Sequence, residues 1–190
     1  MILYGSTTSP FVRRIRLFTH SIPVDFVVMD IFAGEDRKVL IEKNPTLKVP
    51  FLVDGEVNVY DSRVIHRYIT DKFELTAITW QQENTLTLID SISDSLVSMF
   101  LLSRSEIDTS EDKMFFNLQR QRSEMVFAQL EKQCLAGEFD EWHYPSICLY
   151  CLIDWAHFRP LVDFAAYPTL LEFYKNNSNR EEVKETDPRD

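Results

Sequence analysis

The chain has 190 residues, 45% of them hydrophobic and 26% charged, enough apolar material for a packed core in one large domain or two small ones and no signature of global disorder. Thirty acidic against twenty basic side chains leave a formal net charge of -10, which disfavours a nucleic-acid partner because phosphate binding needs concentrated positive charge. No membrane partner is expected, since no stretch approaches the apolar length of a bilayer span and Met1-Ile2-Leu3-Tyr4-Gly5 has neither a basic lead nor a signal-peptide core.

Ile2 to Tyr4 reads as a short buried strand closed by Gly5. Ser9-Pro10 then has the form of a helix N-cap with proline at the first helical position. Phe11, Ile15, Phe18 and Ile22 recur at helical spacing up to a stop at Pro23, and the basic run Arg13, Arg14 and Arg16 reads as the solvated face of that helix. Phe26 to Met29 is the next strand, so the unit is strand, helix, strand with a parallel pair. A weak helix is expected over Glu35 to Lys43, then a loop at Asn44-Pro45. Phe51 to Val53 and Glu56 to Tyr60 are β-prone runs flanking Asp54-Gly55, a two-residue hairpin signal. Pro50 heads the first of these runs, which implies an edge strand or a special turn. Asp61-Ser62 opens an amphipathic helix to Phe73, with an acid and a hydroxyl where helix amides are free.

The composition changes after Phe73. Glu74 to Thr79 reads as a linker, and no strand pattern follows Trp80. Helices are expected over Gln81 to Ser103, over Glu111 to Leu135 with Gly137 as a stop, over Ser146 to Phe158 at the centre of a bundle, and over Thr169 to Asn176 after Pro168. The charged end, Glu181 to Asp190, reads as a loosely held tail. The three cysteines, Cys134, Cys148 and Cys151, suggest reduced thiols in a cytoplasm. The C-x-x-C pair lies in an apolar run and reads as buried helix thiols rather than a redox or zinc site; His66, His143 and His157 lack metal-ligand spacing, so no metal is expected.

These parts, in this order, resemble the glutathione S-transferases over nearly the whole chain. Ser9-Pro10-Phe11-Val12-Arg13-Arg14 is similar to the serine-type active-site segment of that family. Asn44-Pro45-Thr46-Leu47-Lys48-Val49-Pro50-Phe51-Leu52 is similar to its N-P-x-x-K-V-P-x-L stretch, and Asp61-Ser62-Arg63-Val64-Ile65 to its E-S-x-x-I. Leu152 to Arg159 and Tyr167-Pro168-Thr169-Leu170 resemble the central and closing helices of bacterial members. The resemblance implies an α/β N-terminal thioredoxin-like domain of order βαβαββα over residues 1–75, and an all-helical C-terminal bundle over residues 80–190. It implies a homodimer, with glutathione as co-substrate and no metal. It also implies roles: Ser9 activates the thiol, the main chain of Val49 pairs with the cysteinyl unit, Pro50 is cis, and Asp61 and Ser62 hold the γ-glutamyl end. Lys48, Arg37 or Lys38 faces the glycine carboxylate, a choice the sequence leaves open.

These groups suit the chemistry. The nucleophile of such a transfer is the thiolate, and a free thiol has a pKa near ~8.5. A hydroxyl donating to the sulfur, worth ~1.5–3 kcal/mol as a charge-assisted hydrogen bond, together with a helix N-terminus, can lower that pKa by about two units. Ser9 can also be only an N-cap, and Ser6, Thr7, Thr8 and Tyr4 are rival hydroxyls. The chain departs from the family pattern in three places. Asp61 replaces the commoner Glu or Gln, the linker lacks prolines, and His143-Tyr144-Pro145-Ser146 stands where a Ser/Thr-x-x-Asp capping box is usual. The expected activity is transfer of the glutathione thiolate to a small, hydrophobic electrophile. The alternative is a non-catalytic binding or regulatory protein on the same scaffold, like the stringent-starvation type.

Overall fold

The computed structural model describes residues 1–189. Four short strands, β1 (Ile2–Gly5), β2 (Asp25–Val28), β3 (Phe51–Asp54) and β4 (Val57–Tyr60), form one sheet in the order β2-β1-β3-β4. β1 runs parallel to β2 and antiparallel to β3, and β3 antiparallel to β4. Helices α1 (Pro10–Phe18), α2 (Gly34–Lys43) and α3 (Ser62–Lys72) complete the expected βαβαββα order. Side chains alternate across the pleat. Tyr4, Phe51 and Tyr60 share one face, where they pack with Met29 and with Leu40 of α2, and Tyr4 stacks on Phe51 at 4.8 Å. Their neighbours Leu3, Leu52 and Val59, also in register, are buried on the other face, where α3 packs with α1.

Local chemistry sets several boundaries that pattern alone misplaces. α1 stops at Phe18, not at Ile22, because the Thr19 hydroxyl and amide both donate to the Ile15 carbonyl. The hairpin loop is Gly55-Glu56 rather than Asp54-Gly55: Asp54 still pairs with Val57, and only Gly55 takes positive φ. Asp54 is held in β3 because its carboxylate accepts from the Tyr68 hydroxyl and from Lys72; Lys72 first, then Tyr68, holds its carboxyl below the usual range. β3 is an interior strand, and the proline ahead of it sits in a cis Val49–Pro50 bond, the special turn rather than the edge.

The chain divides into two compact units, Met1–Ile78 together with the segment from Asn179 onward, and Thr79–Ser178. The terminal segment is not a loose tail. It forms α8 (Glu181–Glu185), buries Val183, and packs on the basic run of α1. Arg13 and Arg14 are both buried, contrary to the solvated face read from their charge. Arg13 donates from Nε to the Thr186 hydroxyl and from Nη2 to the Val183 carbonyl, and Arg14 lies over the Phe11 ring.

The helical unit contains α4 (Trp80–Arg104), α5 (Met114–Leu135), α6 (Tyr144–Phe158) and α7 (Pro168–Asn177). α6 is buried from Tyr144 to Ala156 and carries Cys148 and Cys151 inward, as its all-round apolar pattern implies. α4 begins at a reciprocal Thr79–Gln82 capping box. By length and composition α4 is long and apolar enough to cross a membrane, which corrects the reading of the sequence; here its stripe Leu86, Ile89, Ile92 and Leu96 is buried in a helix that packs on α5 and α6. The start of α6 is capped after all. His143 Nδ1 accepts from the Ser146 amide at 3.2 Å, so an imidazole does what a Ser or Thr usually does. Glu131 of α5 caps α7 in turn, accepting from the amides of Thr169 and Leu170. Asp154, almost fully buried in α6, accepts from the Tyr174 hydroxyl of α7 at 2.9 Å.

Candidate functional site

The strand register gathers the residues singled out in the sequence. Tyr4 near the end of β1, Phe51 at the start of β3 and Tyr60 at the end of β4 are lateral partners. The loop after β1 leads to Ser9, the residue before Phe51 is Pro50, and the residues after Tyr60 are Asp61 and Ser62. Ser9, Val49-Pro50 and Asp61-Ser62 thus belong to one end of the sheet, although they are far apart in sequence.

Ser9 is the N-cap of α1, its Oγ accepting from the Val12 amide at 3.3 Å. An acceptor role leaves the hydroxyl proton to donate elsewhere, so the cap does not consume the group. Among the rival hydroxyls, Ser6 and Thr8 bond each other at 3.1 Å, and Tyr4 is held in the sheet against Phe51. α1 has no acidic residue in its first turn, so its N-terminal partial positive charge is not offset there. Gly5, buried at the end of β1, lets this helix lie close: a Cβ there would come within 2.4 Å of Val12 Cγ2.

The approach to β3 is shaped by a residue that sequence reasoning passed over. Asn44, fully buried, donates from Nδ2 to the Lys48 carbonyl at 2.8 Å and accepts from the amide and hydroxyl of Thr46. It fixes the turn through Leu47, which has φ of 56°, and delivers Val49 half-buried and Pro50 buried with the cis bond between them. The signal was present as an Asn before Pro in the loop, since Asn folds its side chain onto backbone two residues on. Of the cations left open in the sequence, Arg37 donates to the Ile31 carbonyl and Lys38 pairs with Glu35 at 2.6 Å, whereas the exposed Lys48 ammonium meets no acid among the described residues.

Asp61 is the exposed N-cap of α3, at φ of 71°, and its Oδ1 accepts from Arg63 N at 2.8 Å and Val64 N at 3.4 Å. One oxygen makes both bonds, which leaves the other for a ligand. Ser62 is buried at the first helical position. The buried His66 packs against the tilted Phe18 ring at 4.5 Å, a structural role. Taken together, this end of the sheet offers a hydroxyl at one helix start, main-chain groups beside a cis proline, and a carboxylate with a hydroxyl at a second helix start. Such a set suits a small peptide-like molecule bearing a thiol and an amino-acid end.

Residues 3–77 match the sequence model of the glutathione S-transferase N-terminal domain. Over 201 residues the chain is 26% identical to an uncharacterized GST-like protein, YibF, of Escherichia coli strain K12, covering 99% of this chain and 98% of the relative. It is 28% identical to a zeta-class glutathione S-transferase of Euphorbia esula, covering 97% and 88%. Among solved structures, a glutathione S-transferase of Methylobacillus flagellatus KT with GSH bound superposes with a TM-score of 0.86 at 22% identity, covering 98% of each chain. Residues 3–77 thus match a glutathione S-transferase N-terminal domain, the chain is similar to GST-like relatives along its full length, and it shares the two-part fold of the solved structures.

Proposed function

We propose that the protein is a glutathione S-transferase of the serine type, joining the glutathione sulfur to a small hydrophobic electrophile. The observation that carries the reading is the convergence of Ser9, the cis Val49–Pro50 turn and the Asp61-Ser62 helix start at one end of a sheet that belongs to a matched glutathione S-transferase N-terminal domain. Solved neighbours with bound glutathione lend it further support.

In this mechanism glutathione lies along the turn before β3. Its cysteinyl unit pairs with the main chain of Val49, as an added strand would. Its γ-glutamyl carboxylate meets Ser62 at the N-terminus of α3, while its ammonium meets Asp61. Its glycine carboxylate meets Lys48, whose ammonium meets no acid among the described residues. The thiol proton leaves to solvent, and Ser9, donating a hydrogen bond to the sulfur together with the N-terminus of α1, favours the thiolate. The thiolate attacks the electrophilic carbon, the new C–S bond forms as the leaving group departs with the electron pair, and Ser9 neither takes a proton nor bonds to the substrate. The protein acts as a homodimer in the cytoplasm, where glutathione keeps its three thiols reduced.

The test is calorimetric titration with glutathione, followed by conjugation to an activated aryl chloride by wild type and Ser9→Ala. The reading predicts binding, turnover, and a loss of turnover in the variant. Binding without turnover would favour a regulatory protein on the same scaffold, and absence of binding would remove the proposal.

A further inference from the structure

A small cavity lies wholly within the helical unit and plays no part in the reading above. It has a volume of about 220 Å³ and is lined by the first turns of α4 and by the loop between α5 and α6. The capping box uses one end of the Gln82 carboxamide: Oε1 accepts from the Thr79 amide at 2.8 Å, which leaves Nε2 to donate elsewhere. Gln81, exposed beside it, brings a second carboxamide that bonds to no described residue. His143 Nδ1 accepts from the Ser146 amide at 3.2 Å, so the neutral ring carries its proton on Nε2. Thr85, buried further along α4, accepts at Oγ1 from Nε2 of Gln133 in α5 at 3.3 Å. Behind that contact the buried Oε1 of Gln133 has no hydrogen-bond partner among the described residues.

Two acceptors at this cavity therefore lack donors. One is Gln133 Oε1, beside the wall that Thr85 forms. The other is the carboxylate of Glu138, half-buried in the lining and neither hydrogen-bonded nor ion-paired to any described residue. No lysine or arginine lines the cavity, so with His143 neutral its formal charge is that of Glu138. Buried polar groups normally have partners, and a carboxylate drawn partly out of water normally has a cation. An occupant that is positively charged and rich in donors answers both needs.

We propose that this cavity binds a small primary ammonium compound carrying hydroxyl groups. The ammonium, with three donors and a positive charge, meets the Glu138 carboxylate in a charge-assisted hydrogen bond. The hydroxyls, which donate and accept, meet the carboxamides of Gln81 and Gln82 and the hydroxyl of Thr85. The volume is the share of roughly seven water molecules at ~30 Å³ each, room for an amino diol or triol but not for a peptide or a disaccharide. All these residues lie in the helical unit, so the site stands apart from the glutathione reading and survives its failure.

The experiment is titration of the isotope-labelled full chain at neutral pH with serinol, followed by the NMR shifts of the glutamine side-chain amides. Glycerol, which has a hydroxyl in place of the ammonium, and isopropylamine, which has the ammonium without the hydroxyls, are the controls. Serinol shifts the Gln81 and Gln82 amides and binds about tenfold more tightly than either control. Glu138→Gln lowers its affinity about tenfold, to that of glycerol. Gln81→Ala, at an exposed position, lowers it about threefold and keeps the test decisive if Glu138→Gln folds poorly. Glutathione affinity is unchanged in both variants. No saturable shift with serinol, equal binding of glycerol or of isopropylamine, or unchanged serinol affinity in either variant would overturn the site.

Discussion

Gly5→Ala is a one-carbon change that tests how closely α1 must lie on β1 for Ser9 to be in place. The added Cβ would stand 2.4 Å from Val12 Cγ2 and 2.8 Å from Cγ1, both well inside van der Waals contact. Val12 is fully buried and β-branched, with one strongly preferred rotamer in a helix, so it has little freedom to turn away. The helix must shift instead. Overpacking of this kind costs ~1–3 kcal/mol, and two overlapping methyl groups point to the upper half of that range. Val12→Ala alone removes both methyls, a loss of ~1.6 kcal/mol in transfer free energy plus a cavity contribution. In the double variant the methyl added at position 5 fills part of the space that Val12 vacated. Urea denaturation of the four proteins should therefore give a coupling energy of about 1–2 kcal/mol, with the double variant more stable than the sum of the single effects. Glutathione affinity should fall in Gly5→Ala and return in part in the double variant, because the displaced helix carries Ser9. A neutral Gly5→Ala, or effects that add within ~0.5 kcal/mol, would refute the claim that this contact sets the position of α1.

Asn44→Ala removes the buried bond to the Lys48 carbonyl and both bonds from Thr46. Denaturation should show a loss of about 2–3 kcal/mol, and glutathione titration a weaker affinity, because the turn before Val49 relaxes. His143→Ala should cost about 0.5–2 kcal/mol of stability through loss of the α6 cap, whereas His143→Asp, which keeps an acceptor at that position, should recover most of it. Burial above all, then the charges of Glu131, Asp140 and Glu172, push the Cys134 thiol up to about 11 from an ordinary 9.0. The folded chain thus holds this proton while the unfolded chain releases it. Stability contributed by the neutral thiol is present below the ordinary value and is lost as pH rises toward 11, so the denaturation midpoint should fall more steeply over that window in wild type than in Cys134→Ser. At about pH 8 the native thiol should also react with a disulfide reagent far more slowly than free cysteine.

The sequence carried the order of elements well, for reasons visible in particular residues. Ser9-Pro10 and Asp61-Ser62 mark helix starts because their side chains satisfy amides locally, and both are the observed caps. The run from Ile147 to Ile153 is apolar on all sides because α6 is covered on all sides. What the sequence hid was decided by contacts distant along the chain. Arg13 looks like part of a wet face until the segment of α8 accepts from it 170 residues away. The same contact turns a charged tail into a docked one, and nothing local to either segment announces it. The hairpin loop is displaced by one residue because Tyr68 and Lys72, on the following helix, hold Asp54 in the strand. His143 escaped notice as a cap because an imidazole rarely serves as one, although Nδ1 can accept as a hydroxyl does. The meeting of Ser9, Pro50 and Asp61 was legible only through the family resemblance; the strand register supplies the physical reason for it.

The account rests on the Ser9 hydroxyl favouring an anionic sulfur, and the ultraviolet absorbance of bound glutathione thiolate, followed as a function of pH, reads that directly. Wild type should titrate about one to two pH units below free glutathione. Ser9→Ala should return the pKa toward its free value while glutathione still binds, and Ser9→Asp, which keeps the helix cap but offers no proton, should do so at undiminished stability. A bound thiol that titrates alike in all three proteins would contradict the account.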